Sequence, residues 1–179
     1  MGRPKSLLPY GERTVVEQIL SVLTAAPVEE ILVITGHARE AVESLLAKWP
    51  VRAVFNSRYA TGEMLTSIQV GLRAVSVESG AALIALCDQP ALERSVVEQI
   101  ITAYRAGRGS VFIPSFQMRH GHPVLIARKH WPRILGLGEG QTLRGFMREL
   151  SADEIYHVVV GTASILQDLD TPADYREQS

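Results

Sequence analysis

Asp88 stands directly beyond the apolar run AALIALC at residues 81–87. A carboxylate at the end of such a run cannot enter the core without a partner. It suits a hard cation such as Mg²⁺, which prefers carboxylate and phosphate oxygens. Equally, it suits a cap for the helix that follows Pro90. Asp168 and Asp170 form a second acidic pair within LQDLDTPAD. Alternation in an extended segment points both carboxylates the same way. With Asp88 they would make a Mg²⁺ site if the fold brings them together. The other reading is a turn, with Asp170 capping a helix entered through Thr171-Pro172.

Lys5 lies in GRPK, beside a proline that restricts the backbone. Its ammonium can meet a phosphate as a point charge, and Arg3 can do the same on a more exposed arm. A solvated lysine near a terminus is the bland alternative. GRPKSLLPYG is not a P-loop, because the glycine spacing and the Lys-Ser/Thr ending are missing. Asn56 follows the apolar VRAVF, and Gly62, Glu63, Thr66 and Ser67 occupy the next loop and helix start. Free N–H groups and hydroxyls there can hold an anion, or simply cap a helix. Gly36 and His37 end the run ILVIT and lie at another strand end.

His120 and His122 flank Gly121 in RHGHP. With a single cysteine and no HExxH, a structural zinc site has no ligand set. The pair can instead offer hydrogen bonds to an anionic or heterocyclic ligand. His130 and His157 read as ordinary helix and strand residues. Cys87, inside an apolar strand, reads as a buried and inert thiol. Neither Ser67 nor Ser110 sits in a GxSxG elbow.

The elements that must position these residues follow from periodicity. Thr14 and Glu17 form a capping-box signal ahead of the helical pattern TVVEQILSVLTA. ILVIT at 31–35, VRAVF at 51–55 and AALIALC at 81–87 read as strands, the first and last buried on both faces. Helical spacing returns at 38–48, 65–75 and 95–107. Strand and helix thus alternate, which predicts an α/β sheet with helices on both faces and ligands beyond the carboxyl ends of the strands. The second half is less regular. Short strands are predicted at 111–113, 123–127 and 155–160, helices at 128–135 and 141–149, and a turn or helix after Pro172. Residues 1–13 read as a loop.

Composition bounds the rest. The chain has 179 residues, 46% hydrophobic and 21% charged, with a formal net charge of -1. That length suits a single domain, 1–179. Near-neutral charge argues against nucleic acid as the default partner. No apolar run reaches the roughly 20 residues of a membrane span. One cysteine excludes a disulfide scaffold. No repeat or low-complexity tract is present.

Taken together, six segments resemble the MobA-like nucleotidyltransferases that attach a nucleotide to molybdopterin, and most of all their molybdenum cofactor cytidylyltransferase branch. They are GRPKSLLPYG, ILVITGH, NSRYATGEMLTSIQVGL, ALCDQP, RHGHPVLI and LDTPADY, in that order along the chain. The resemblance implies a single-domain, Rossmann-like α/β fold with a mostly parallel central sheet. It implies transfer of CMP from CTP to the molybdopterin phosphate, with release of pyrophosphate. GTP as the nucleotide, a sugar phosphate as acceptor, or a non-catalytic nucleotide-binding role are the alternatives.

By the same resemblance, Lys5 and Asp88 would be catalytic, and Asp88, Asp170 and Asp168 would hold Mg²⁺. Arg3, Lys5, Gly36, Asn56, Ser67 and Asp88 would line the nucleotide, and His120 and His122 would face molybdopterin. The implied setting is cytoplasmic, as a monomer or weak homo-oligomer, with molybdoenzymes or their chaperones as partners and neither nucleic acid nor membrane. Two departures stand out. GEMLTSIQ carries a threonine and a bulky leucine where the family usually shows small residues and consecutive serines. Family members also open on a hydrophobic strand and a glycine-rich loop. This chain starts where that loop ends, so the expectation is an N-terminally truncated domain lacking both.

Overall fold

The computed structural model describes residues 4–61 and 63–178. A short 3₁₀ turn, Lys5–Leu7, leads into a small hairpin of β1 (Pro9–Tyr10) and β2 (Arg13–Thr14). The expected opening loop is therefore partly ordered. Next come α1 (Val15–Thr24), β3 (Leu32–Thr35), α2 (Arg39–Leu46), β4 (Arg52–Phe55), α3 (Met64–Ala74), β5 (Ala81–Ile84) and α4 (Arg94–Arg105). The second half holds β6 (Val111–Phe116), β7 (Arg119–His120), β8 (Val124–Ala127), α5 (Trp131–Leu135), α6 (Leu143–Arg148), β9 (Ile155–Val159) and α7 (Pro172–Gln178).

The alternation of strands and helices is present, but the mostly parallel central sheet is not. β3 and β4 form a separate parallel pair. The larger sheet has five strands, and three of its four ladders are antiparallel: β5–β8, β6–β8 and β6–β7. Only β6–β9 is parallel there. The reason is connection length. A parallel pairing needs a crossover of about a dozen residues. β6 reaches β7 through only Gln117 and Met118, and β7 runs on into β8 in the same direction through residues 121–123. Strands joined by two residues must reverse, so β7 and β8 both run against β6. Gln117 and Met118 have φ of 48° and 64°, the backbone of a two-residue hairpin turn of the type that matches strand twist. β8 then lies between β5 and β6 and runs against both.

Helices on both faces tie the two sheets together. α1 begins at a complete capping box, in which Thr14 accepts from the Glu17 backbone and the Glu17 carboxylate accepts from the Thr14 N–H. Its Val15 and Ile19 join the core that contains Val97, Phe112 and Leu125 and meets Ala81 and Leu83 of β5. Its Val16 and Leu20 face Val42 and Leu46 of α2 and Val33 of β3. From the other side α3 sends Leu65, Ile68 and Leu72 against Val111, Ile113, Val124 and Ile126. It also places Gly71 against Ile34 of β3. Each fully buried aliphatic side chain contributes about 1.5–3 kcal/mol. Among the described residues, β3 pairs only with β4, and β5 only with β8. One edge of each therefore has no sheet partner. Leu32, Val33 and Ile34, and all of β5, are half-buried rather than buried on both faces. No helix among the described residues is long and apolar enough to cross a membrane.

Candidate functional site

β5 ends at Ile84, three residues earlier than the apolar run suggests, so Cys87 and Asp88 lie in the loop beyond it. Cys87 is exposed there, not buried in a strand. The loop is pinned from the C-terminal segment: the Leu169 N–H donates to the Asp88 carbonyl at 2.9 Å. Gln89, 5% exposed, donates its side-chain amide to Asp168. The Asp88 carboxyl is therefore held beside Asp168. Burial, and next the Asp168 charge, push it above the usual carboxylate range.

Lys5 arrives from the opening 3₁₀ turn. Its Nζ donates to Asp170 Oδ1 at 3.0 Å, with the two side chains 36% and 69% exposed. The Asp170 hydrogen bond is the main cause that raises the Lys5 ammonium, and Asp88 adds to it. The ion pair is open to solvent, so its own contribution to stability is small. Its effect is to hold a cation at the edge of the acidic group. Tyr175 Oη donates to the Pro9 carbonyl and ties the same C-terminal segment to the first hairpin.

His122 enters from the other side. The His122 N–H donates to the Ile165 carbonyl at 3.2 Å. Burial lowers its imidazole, while the charges of Asp168 and Asp88 reach it and oppose that shift. Gly121 makes the approach possible, because a Cβ there would lie 2.0 Å from the Ile165 carbonyl oxygen. The structure thus gathers Lys5, Asp88, Asp168, Asp170 and His122 beyond the carboxyl end of β5.

Gly36, Asn56 and Ser67 form a second group at the end of the β3–β4 pair. Asn56 is 2% exposed, and its amide nitrogen donates to Thr66 Oγ1 at 3.2 Å and Ser67 Oγ at 3.1 Å. Its oxygen accepts from the Arg58 N–H at 2.9 Å. With both ends occupied, Asn56 organises the loop that carries Ser67. A Cβ on Gly36 would lie 2.6 Å from Tyr59 Cβ, so glycine lets that loop close over the strand end. His120 lies on β7, exposed, and its ring stacks on His157. Arg3 and Gly62 lie outside the described residues. Sequence reasoning passed over Gln89 and read His157 as an ordinary strand residue. Gln89 had a signal in its place between Asp88 and Pro90; His157 had none.

Among the described residues, no group of three or more His, Cys, Asp or Glu side chains converges to hold a metal by itself. Mg²⁺ does not require one. It keeps waters and is bound through one or two carboxylates together with substrate phosphates. Asp88 and Asp168, close enough for one charge to shift the other, fit that pattern.

The MobA-like NTP transferase domain matches residues 1–155. The chain belongs to that family. It is 31% identical over 156 residues to the nicotine blue oxidoreductase of Paenarthrobacter nicotinovorans, which covers 83% of this chain and 76% of the relative. It is 25% identical over 177 residues to the molybdenum cofactor cytidylyltransferase of Escherichia coli K12, which covers 98% and 86%. A solved nucleotidyl transferase from Methanothermobacter thermautotroptrophicus superposes with a TM-score of 0.80 at 28% identity, covering 97% and 83%. Membership supports nucleotidyltransferase chemistry in general terms.

Proposed function

We propose that this chain transfers a nucleotidyl group, CMP from CTP in the leading case, to the phosphate of molybdopterin and releases pyrophosphate. The convergence of Lys5, Asp88 and Asp168 beyond β5 carries the proposal. The Escherichia coli relative, matched over 98% of the chain, supports the choice of nucleotide and acceptor. In the reaction an oxygen of the acceptor phosphate bonds to the α-phosphorus of the nucleotide. The bond from that phosphorus to the bridging oxygen breaks, and its electron pair leaves with pyrophosphate.

Such chemistry needs alignment and positive charge, and no covalent nucleophile on the protein. Lys5 supplies a fixed cation at the edge of the site, held by Asp170. Asp88 and Asp168 would hold Mg²⁺, with Asp170 beside them. When bound, that ion supplies charge neutralisation of the triphosphate. His122, kept neutral by burial, offers a hydrogen bond on the acceptor side. Asn56 sets the loop of Ser67, and Gly36 lets Tyr59 close over the nucleotide side. Transfer from GTP, or to a sugar phosphate, would use the same groups.

A second reading comes from the relative at 31% identity, named an oxidoreductase. Under it, the same fold would serve redox chemistry.

Pyrophosphate release separates these readings, assayed with CTP or GTP, Mg²⁺ and either molybdopterin or a sugar phosphate. We expect release with CTP and molybdopterin, and a drop of about 10²–10³-fold in Asp88→Asn. Wild-type rates in Asp88→Asn would remove the proposed role of Asp88. Release only with a sugar phosphate would replace the acceptor. Redox conversion of nicotine blue, without pyrophosphate release, would favour the second reading.

A further inference from the structure

His157 has no part in the site described above, yet its surroundings are unusual for a surface histidine. On β9 it pairs with Ile113 of β6, and His120 of β7 pairs with Ser115 of the same strand. Two residues along a strand share a face, so both imidazoles rise from one side of β6. They lie face to face, with ring centroids 4.2 Å apart and planes 8° from parallel. Both residues are exposed. Among the described residues, neither ring hydrogen-bonds to a protein group, so the ring nitrogens of both are open to a ligand. Val159, 80% exposed, lies two residues further along β9 on that face.

We propose that the His120–His157 pair is an anion-binding subsite that takes the phosphate of the acceptor and gains a proton as it does so. The assignment to an acceptor rests on the function proposed above. Strand side chains stand roughly perpendicular to the sheet. A ligand arriving from solvent therefore meets the N–H edges of two stacked rings rather than their faces. Edges of that kind suit phosphate oxygens better than a flat heterocycle. Location agrees. His122, whose imidazole feels Asp168 and Asp88, follows His120 by two residues, about 7 Å of extended chain. The subsite thus adjoins the segment that carries His122 to the acidic group.

The charges nearby are already partnered. Glu98 and Arg108 line a groove between α4 and β9 that His157 also borders. Glu98 is paired with Arg94 at 2.6 Å, and Arg108 donates to Tyr156 Oη at 2.9 Å. Arg119 adjoins His120 on β7, but strand alternation turns it to the opposite face. Burial, followed by the His120 charge, holds the His157 imidazole below its ordinary value. Two stacked imidazoles repel when both are charged. A phosphate dianion offsets that repulsion, and solvent supplies the proton that is taken up.

The test is a titration of the full chain with inorganic phosphate. The histidine ring protons are followed by NMR, and calorimetry is run in buffers of different ionisation heat. Both rings should respond with one dissociation constant, and the His157 midpoint should rise by about one pH unit. Roughly one proton should be taken up per phosphate. His157→Gln should weaken phosphate about tenfold and raise KM for the acceptor while leaving KM for CTP unchanged. Unshifted rings, or unaltered phosphate affinity in His157→Gln, would overturn the subsite. Thermal stabilisation by Mg²⁺ and CTP depends on the Lys5–Asp88 group and is measured in parallel. Its presence without a phosphate response overturns the pair and leaves the proposed reaction standing. A phosphate response without nucleotide stabilisation keeps the anion site and overturns its assignment to an acceptor.

Discussion

His130 is 6% exposed, and its Nε2 lies 2.8 Å from Ser110 Oγ. Burial is the main cause that lowers its imidazole, with Lys129 next, while Glu154 opposes them. A histidine whose folded value lies below its ordinary 6.5 stabilises the fold above that pH. The contribution disappears as pH falls through 6.5 toward the folded value, because the unfolded chain binds the proton first. Urea midpoints should therefore decline between pH 7 and pH 5, and His130→Gln should flatten that part of the curve. An equal slope in the variant would assign the decline to another group. Single residues differed in how legible they were. Asp88 could be read because a carboxylate after an apolar run has few places to go. His157 could not, because the ring it stacks on, His120, lies far earlier in the chain on another strand, with β6 lying between. Cys87 was misread because apolar character continued past the point where the strand's hydrogen bonds stop at Ile84.

Helix α1 was readable almost to its ends, since Thr14 and Glu17 are local partners and their capping box forms. The hairpin of β6 and β7 was not. Its turn residues, Gln117 and Met118, are neither Asn nor Gly, yet both take positive φ. Tertiary contacts impose that geometry, and this short connection reverses the chain that periodicity alone had left parallel. Gly121, beyond β7, is the tightest point. A methyl group there meets a backbone carbonyl oxygen at 2.0 Å, which no side-chain rotation relieves. Gly121→Ala should cost about 1–3 kcal/mol in denaturant unfolding and displace His122 from the acidic group. Gly138→Ala is the control, since its added methyl meets nothing closer than 3.7 Å. Equal stability of the two variants would show that the 163–166 turn yields freely.

Across the whole molecule, the β3–β4 pair and the five-stranded sheet are joined by helices that serve both. α1 divides its buried residues between two cores, and α3 packs beneath both β3 and the larger sheet. The chain offers two natural reporters. Trp49 lies against the β3–β4 side, and Trp131 is buried beneath the five-stranded sheet. If α1 and α3 couple the halves, Trp49→Phe and Trp131→Phe variants should give coincident unfolding curves by fluorescence. Separate midpoints would mean that the sheets melt independently. The sequence by itself determined the order of most elements, the helix start at Thr14, and the acidic and basic residues that converge beyond β5. Those depend on local periodicity, capping and the placement of polar residues at strand ends. Tertiary structure alone decided strand direction, the division into two sheets, the Lys5–Asp170 pair and the stacking of His120 on His157. Each joins segments far apart in the chain, and short-range spacing carries no information about which distant backbone or side chain will complete the contact.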